Sequence, residues 1–239
     1  PPRRRRDAGS LRVGQRDIVG MAWTAEQATM RIDQLATIFG AIDGRSVSAD
    51  AARKTIGRWI AHGWATSRLL LQGEPAFVWL TPAGMRTAGM DYAGVEPALA
   101  TLTHTRIITD IRIHLLSRYP QTSWRSERAM RGLLPQRQRG QQQPHLPDGE
   151  LHGQNGSMIA IENELTAKTV QRTRNIMLGL LSRRYDYDHS DEPVADRNHR
   201  YRAVWYYVNQ QTRSVVETAR DQLPGDYQER LHIVDWPRP

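Results

Sequence analysis

The stretch HLPDGELHGQNGSMIAIENEL, residues 145–165, decides how the second half of this chain folds. Residues 146–151 and 158–165 read as two strands joined by the Gly- and Asn-bearing turn 152–157. Antiparallel pairing across so short a turn places Asp148 opposite Glu162, if the paired residue numbers sum to about 310. Side chains alternate along a strand, so Glu162 and Glu164 project to one face while Asn163 and Leu165 take the other. Three carboxylates then converge. The apolar run Met158, Ile159, Ala160, Ile161 before them marks a strand buried on both faces, and the ends of such strands are where α/β sheets tend to carry function.

A carboxylate cluster repels itself, and inside a sheet it is costly unless a hard divalent cation lies between the groups. Magnesium or manganese suits an all-oxygen ligand set and could both orient a water and stabilise charge developing on a phosphate. The metal ligands expected are therefore Asp148, Glu162 and Glu164. The competing reading makes Asp148 part of a Pro-Asp-Gly turn and puts the two glutamates on the solvent face of an edge strand.

Outward from this hairpin, residues 166–184 read as a helix, 203–208 as a strand, 212–222 as a helix and 231–234 as a strand. Upstream, Ile107, Ile108, Ile111, Ile113, Leu115 and Leu116 mark a helix that begins near Leu102, and 124–130 reads as a strand carrying Glu127, a further candidate carboxylate. Residues 136–144 hold no apolar side chain and read as a mobile loop. The order is α-β-β-β-α-β-α-β. His145 and His152 flank the Asp148 strand as candidate metal or phosphate contacts or as turn decoration, whereas His189 and His199, in the mixed-charge loop 185–200, have no metal-site spacing.

The first half has a different pattern. Ile18, Val19 and residues 21–23 start one helix, and Ile32, Leu35, Ile38 and Phe39 make the stripe of a second. A third follows residues 46–48, with Ala52, Ile56, Trp59, Ile60 and Gly63 on one face and Asp50, Arg53, Lys54 and Arg58 on the other. Residues 66–71 and 76–80 flank a turn at 72–75, and Thr81 with Pro82 starts a last helix as N-cap and first residue. Three helices followed by a hairpin is the order of a winged helix-turn-helix, with Arg53, Lys54 and Arg58 facing DNA and Arg68 on the wing. A small α+β domain without a DNA contact fits the same residues. The divisions expected are a basic arm over 1–15, a winged helix over 16–90, a linker over 91–101 and an α/β domain over 102–239.

Composition bounds the chemistry. The chain has 239 residues, 39% hydrophobic, with 33 basic and 25 acidic side chains giving +8, which points to a polyanionic partner, nucleic acid before membrane. Only two of the basic residues are lysines, Lys54 and Lys168, so a GC-rich genome would account for much of the arginine. The absence of cysteine excludes disulfides, zinc fingers, iron–sulfur ligation and thiol catalysis. No Gly-rich phosphate loop ending in Lys-Ser or Lys-Thr is present, and Ser/His/Asp catalysis has no local support. No run is long enough to span a bilayer, and the start Pro-Pro-Arg-Arg-Arg-Arg is unlike a signal peptide, so a cytoplasmic, nucleoid-associated protein is expected.

The residues 145–148 (His-Leu-Pro-Asp) followed by 159–168 (Ile-Ala-Ile-Glu-Asn-Glu-Leu-Thr-Ala-Lys) resemble the PD-(D/E)XK nuclease superfamily, which places Pro-Asp on one strand and Glu-x-Lys on the next. With the winged helix, the Leu102-Thr103-His104 entry to the helix and the 204–208 strand, the chain more narrowly resembles the replication-relaxation family of bacterial mobile elements. That resemblance covers most of the chain beyond Arg16. It implies an α+β winged helix-turn-helix domain followed by an α/β PD-(D/E)XK nuclease-like domain with a mixed central sheet, and metal ligands at Asp148 and Glu162. Glu164 stands where the family has lysine, and Lys168, four residues on, could reach back to supply the cation.

The function expected is a magnesium- or manganese-dependent DNA endonuclease or nickase of a mobile element or plasmid, with Asp148, Glu162, Glu164 and Lys168 catalytic. The alternatives are a non-cleaving replication or regulatory factor that keeps a silent nuclease fold, and an interaction module whose winged helix contacts protein. DNA is the partner expected; a homodimer and a second protein completing the active centre are both left open.

Overall fold

A computed structural model describes residues 13–94, 96–134, 144–183 and 199–237. The arm expected over 1–15 lies outside the described residues except for its last three positions, as do the loop expected over 136–144 except Pro144 and nearly all of the loop at 185–200, His189 included. The chain divides into two compact units, residues 1–99 and 100–239. Both combine helices with a sheet, and no helix among the described residues is long and apolar enough to cross a membrane.

The first unit contains α1 (Gln15–Gln27), β1 (Met30–Arg31), α2 (Ile32–Asp43), α3 (Ala49–Ala61), β2 (Ala65–Arg68), β3 (Phe77–Leu80) and α4 (Pro82–Thr87), with an antiparallel sheet ordered β1-β3-β2. Ser48 caps α3, its hydroxyl accepting from the Ala51 N–H at 3.2 Å, and Ala52, Thr55, Ile56 and Trp59 form the buried stripe. The Trp59 ring meets Phe39 edge-on at 5.9 Å between centroids. Only a glycine fits at Gly20, where a Cβ would lie 2.6 Å from Phe39 and 2.9 Å from Trp59. Asp17 ties α1 to α3: although nearly buried, its Oδ1 accepts from Trp59 Nε1 at 2.8 Å and from Arg58 at 2.9 Å. Thr81 caps α4 and Pro82 is its first residue.

Two local expectations do not hold, and one element is additional. Ile60 is exposed, because α3 already fills its buried face with Thr55 and Trp59. The strands of the hairpin are shorter than 66–71 and 76–80, since pairing stops at Arg68 and Phe77 and the intervening residues form a longer connection. A two-residue strand, β1, precedes α2; its brevity left no alternation to read.

The second unit contains α5 (Leu102–Arg118), β4 (Ser123–Ser126), α6 (Glu127–Gly132), β5 (Gly149–His152), β6 (Met158–Glu164), α7 (Val170–Leu181), β7 (Ala203–Val208), α8 (Arg213–Asp221), α9 (Gly225–Glu229) and β8 (Leu231–Asp235). Its five-stranded sheet runs β4-β5-β6-β7-β8, antiparallel through β6 and parallel beyond it, with β6 in the middle. One face packs Ile107, Ile111 and Leu115 of α5 against Ile161 and Tyr207; the other packs Met177, Leu180 and Leu181 of α7 and Val216 of α8 against Ala160, Val204 and Tyr206. β6 is therefore covered on both faces, which is why its sequence is a continuous apolar run.

The strand expected over 124–130 ends at Ser126, whose hydroxyl caps a short helix by accepting from the Ala129 N–H at 3.2 Å; Glu127 thus lies in the first turn of α6 and pairs with Arg131. β5 starts at Gly149 rather than at residue 146, because Pro147 has no N–H to give a ladder. α7 starts at Val170, not at residue 166: Thr169 is the cap, accepting from the Arg172 N–H, so Lys168 belongs to the connecting loop.

Candidate active site

The β5–β6 register pairs Gly149 with Ile161 and Glu150 with Ala160, so paired numbers sum to 310 and the next pair outward is Asp148 with Glu162. Asp148 lies just before the strand begins, and its side chain continues the ladder: Oδ2 accepts the Asn163 backbone N–H at 2.7 Å. The Gly149 that follows is not there for a turn. A Cβ at this position would come within 1.9 Å of the Trp124 ring, which lies across the glycine.

Glu162 and Glu164 are both buried, on the face that carries Ala160, with Tyr206 in parallel register beside Glu162. His145 Nε2 lies 2.9 Å from Glu162 Oε1, and His104 Nε2, on the first turn of α5, lies 3.2 Å from Asp148 Oδ1. Lys168 Nζ donates to both oxygens of Glu164. The structure thus brings Asp148, Glu162, Glu164 and Lys168 into one neighbourhood and adds the two histidines.

The electrostatics agree with that proximity. Burial, and then the charge of Asp148, pushes the Glu162 carboxyl up to about 7 against the pull of His145 and Lys168. The Tyr206 phenol is raised well above its ordinary value by burial and then by Glu162, Glu164 and Asp148. Its hydroxyl is buried without a hydrogen-bond partner among the described residues, as are the side-chain nitrogen and oxygen of Asn163. His145 is raised by its hydrogen bond to Glu162; for His104, burial is outweighed by the hydrogen bond and charge of Asp148.

Asp148 and Glu162 fit a hard divalent cation. They are oxygen donors on neighbouring positions of the ladder, Glu162 raised by burial and then by the charge of Asp148, and the Tyr206 hydroxyl, without a partner among the described residues, belongs to the same neighbourhood. Glu164 is engaged on both oxygens by Lys168, and no group of three His, Asp or Glu among the described residues is already arranged around a metal position.

Next to this cluster lies a carboxylate that sequence reasoning missed, Glu150, the least exposed among the described carboxylates of the unit. It accepts from Arg200 at 2.8 Å and Tyr201 at 2.7 Å, with His152 at 3.0 Å and Arg125 at 3.4 Å. Burial alone would raise this carboxyl; the hydrogen bonds of His152, Tyr201 and Arg200 and the Arg200 charge bring it down to about 2. His152 therefore serves Glu150 rather than the Asp148 cluster, and Glu127 is bound to Arg131.

In the first unit, Arg53, Lys54 and Arg58 are all exposed on α3. Arg53 pairs with Asp50 and Arg58 with Asp17, while Arg68 pairs with Glu96 at 2.9 Å and stacks over Trp79. No family model, curated protein or solved structure matches this chain.

Proposed function

We propose that this protein is a divalent-metal-dependent DNA endonuclease or nickase, in which a winged helix at residues 16–90 binds DNA and a PD-(D/E)XK-like domain at 102–239 cuts it. The observation that carries the reading is the Asp148–Glu162 pair at the centre of the mixed sheet, with the Lys168 ammonium held beside it on Glu164. The order α5-β4-α6-β5-β6-α7-β7, with an antiparallel hairpin feeding a parallel crossover, supports such a domain. The order α1-β1-α2-α3-β2-β3 with a basic exposed face on α3 likewise supports the winged helix.

Asp148 and Glu162 would hold magnesium or manganese, which when bound supplies a polarised phosphate oxygen and a more acidic water. Lys168 provides the cation that a Glu-x-Lys strand would carry at position 164: the side chain comes from the following loop, and Glu164 fixes it. From there the ammonium steadies negative charge on the phosphate during displacement. His145 and His104 each occupy one oxygen of a candidate ligand and orient it.

A second reading, a DNA-binding factor with a silent nuclease fold, is favoured by one observation: the half-buried Lys168 on buried Glu164 and the two histidines on Asp148 and Glu162 already satisfy much of the cluster's charge. Incubating the protein with supercoiled and linear DNA, with and without magnesium or manganese, separates the two. Nicked or linear product that needs the cation supports the nuclease; intact DNA in every lane, with retention on a gel, supports the silent fold.

A further inference from the structure

An open groove of ≈ 550 Å³ lies along the outer face of α7, lined by His145, Arg172, Asn175, Ile176, Gly179 and Arg183. Arg172, Asn175, Ile176 and Gly179 recur at three to four residues and so form one stripe along α7, and Arg183 follows just beyond the end of the helix. An arginine stands at each end, and no acidic residue is among the described residues that line the groove. Its floor is low because Gly179 has no side chain, and a Cβ there would meet nothing within 4 Å. At one wall His145 faces the groove while its Nε2 contacts Glu162, so the groove adjoins the carboxylate cluster. Arg183 also donates to the His145 carbonyl, which fixes that wall to the end of the helix.

We propose that this α7 groove holds the phosphodiester backbone of the DNA strand that is delivered to Asp148 and Glu162, with Arg172 and Arg183 contacting phosphates on either side. The inference rests on the nuclease reading for its direction, toward the carboxylates, but not for the binding itself. Charge complementarity names the occupant: two guanidinium groups, one at each end of the stripe, with no carboxylate among the described lining residues, match a polyanion. The shallow Gly179 floor admits a continuous backbone, and Asn175 adds an amide able to reach a phosphate or sugar oxygen.

The chain contains no cysteine, so N175C places a single thiol in the groove, and S214C places one on the exposed side of α8 as a control. The alkylation rate of each full-length variant by a maleimide is followed by mass spectrometry in EDTA. Each is measured without DNA, with a single-stranded oligonucleotide of about 16 residues, and with the matching duplex. Saturating DNA of at least one form is expected to slow the N175C reaction about tenfold and the S214C reaction less than about twofold. Adding R172E, or G179F, which fills the groove without changing charge, should restore the DNA-free rate. Unchanged reactivity of N175C with both forms, or equal slowing at both positions, overturns the proposal. Because the measurement is made without a cation, protection in a protein that never cleaves DNA would sink the nuclease reading and leave the groove standing. Cleavage without protection would do the reverse.

Discussion

Lys168 Nζ lies 2.7 and 2.8 Å from the two oxygens of Glu164, on the loop residue immediately before the cap of α7. An ammonium shared between both oxygens of a buried carboxylate has little freedom to leave it, so the pair acts as one positioned group.

Replacing the lysine should therefore affect both chemistry and folding. K168M is expected to lower metal-dependent cleavage by about 10²-fold or more, the usual cost of losing one charge-stabilising group. It also leaves Glu164 buried without its cation and should lower the melting temperature. The double variant K168M/E164Q should recover the melting temperature but not the cleavage. Recovery of both would assign the pair a structural role only.

Neutralising the two candidate ligands should separate them. Glu162→Gln is expected to abolish magnesium and manganese binding by calorimetry and, in the absence of metal, to keep or raise thermal stability, since the burial and repulsion that hold the carboxyl near 7 are relieved. Asp148→Asn should also lose metal binding, but at a stability cost of about 1 kcal/mol, because its charged oxygen accepts the Asn163 N–H. Undiminished metal affinity in both variants would remove the site.

Glu150 predicts an acid limit. Its folded-state carboxyl titrates near 2 against an ordinary 4.5, so the group contributes stability that is complete above about pH 4.5 and is lost as pH falls toward 2. The contribution at neutral pH is on the order of 3 kcal/mol. Glu150→Gln should therefore melt well below the parent at pH 7, and the gap should narrow by more than half as the pH is lowered to about 3. A gap that stays constant across that range would mean that Glu150's charge does not support the fold.

For the first unit, the informative substitutions are Arg53→Ala and Lys54→Ala rather than Arg58→Ala. Arg58 also serves the buried Asp17, and its loss would confound folding with binding. The double variant should weaken DNA binding and reduce the log–log salt slope by about one unit for each phosphate no longer neutralised. Equal slopes for variant and parent in fluorescence anisotropy would move the interface off α3.

The Asp148–Glu162 pairing is legible in the residues alone because a short turn fixes register and a period of two fixes the face. The same two rules place β6, β7 and β8 within about a residue. Two of the misplaced elements were decided by single hydroxyls: Ser126 and Thr169 each cap a helix, and those caps move Glu127 off a strand and Lys168 off a helix. The Glu150 cluster is invisible in the sequence for another reason. Its partners Arg125, Arg200 and Tyr201 lie 25, 50 and 51 residues away, and no local periodicity signals a cluster closed by tertiary folding. His104 stands out in the sequence only through a resemblance, since its bond to Asp148 closes across the whole of α5, β4 and α6.

Because the Asp148 carboxylate stands in for a main-chain acceptor at the open end of the β5–β6 ladder, the centre cannot be assembled before the hairpin has found its register. A slip by one residue would turn Glu162 and Glu164 toward α5 and deprive Asp148 of its amide at the same moment. Cation affinity, if the pair binds one, would then report strand alignment: it should be present only in protein whose β5–β6 register is native.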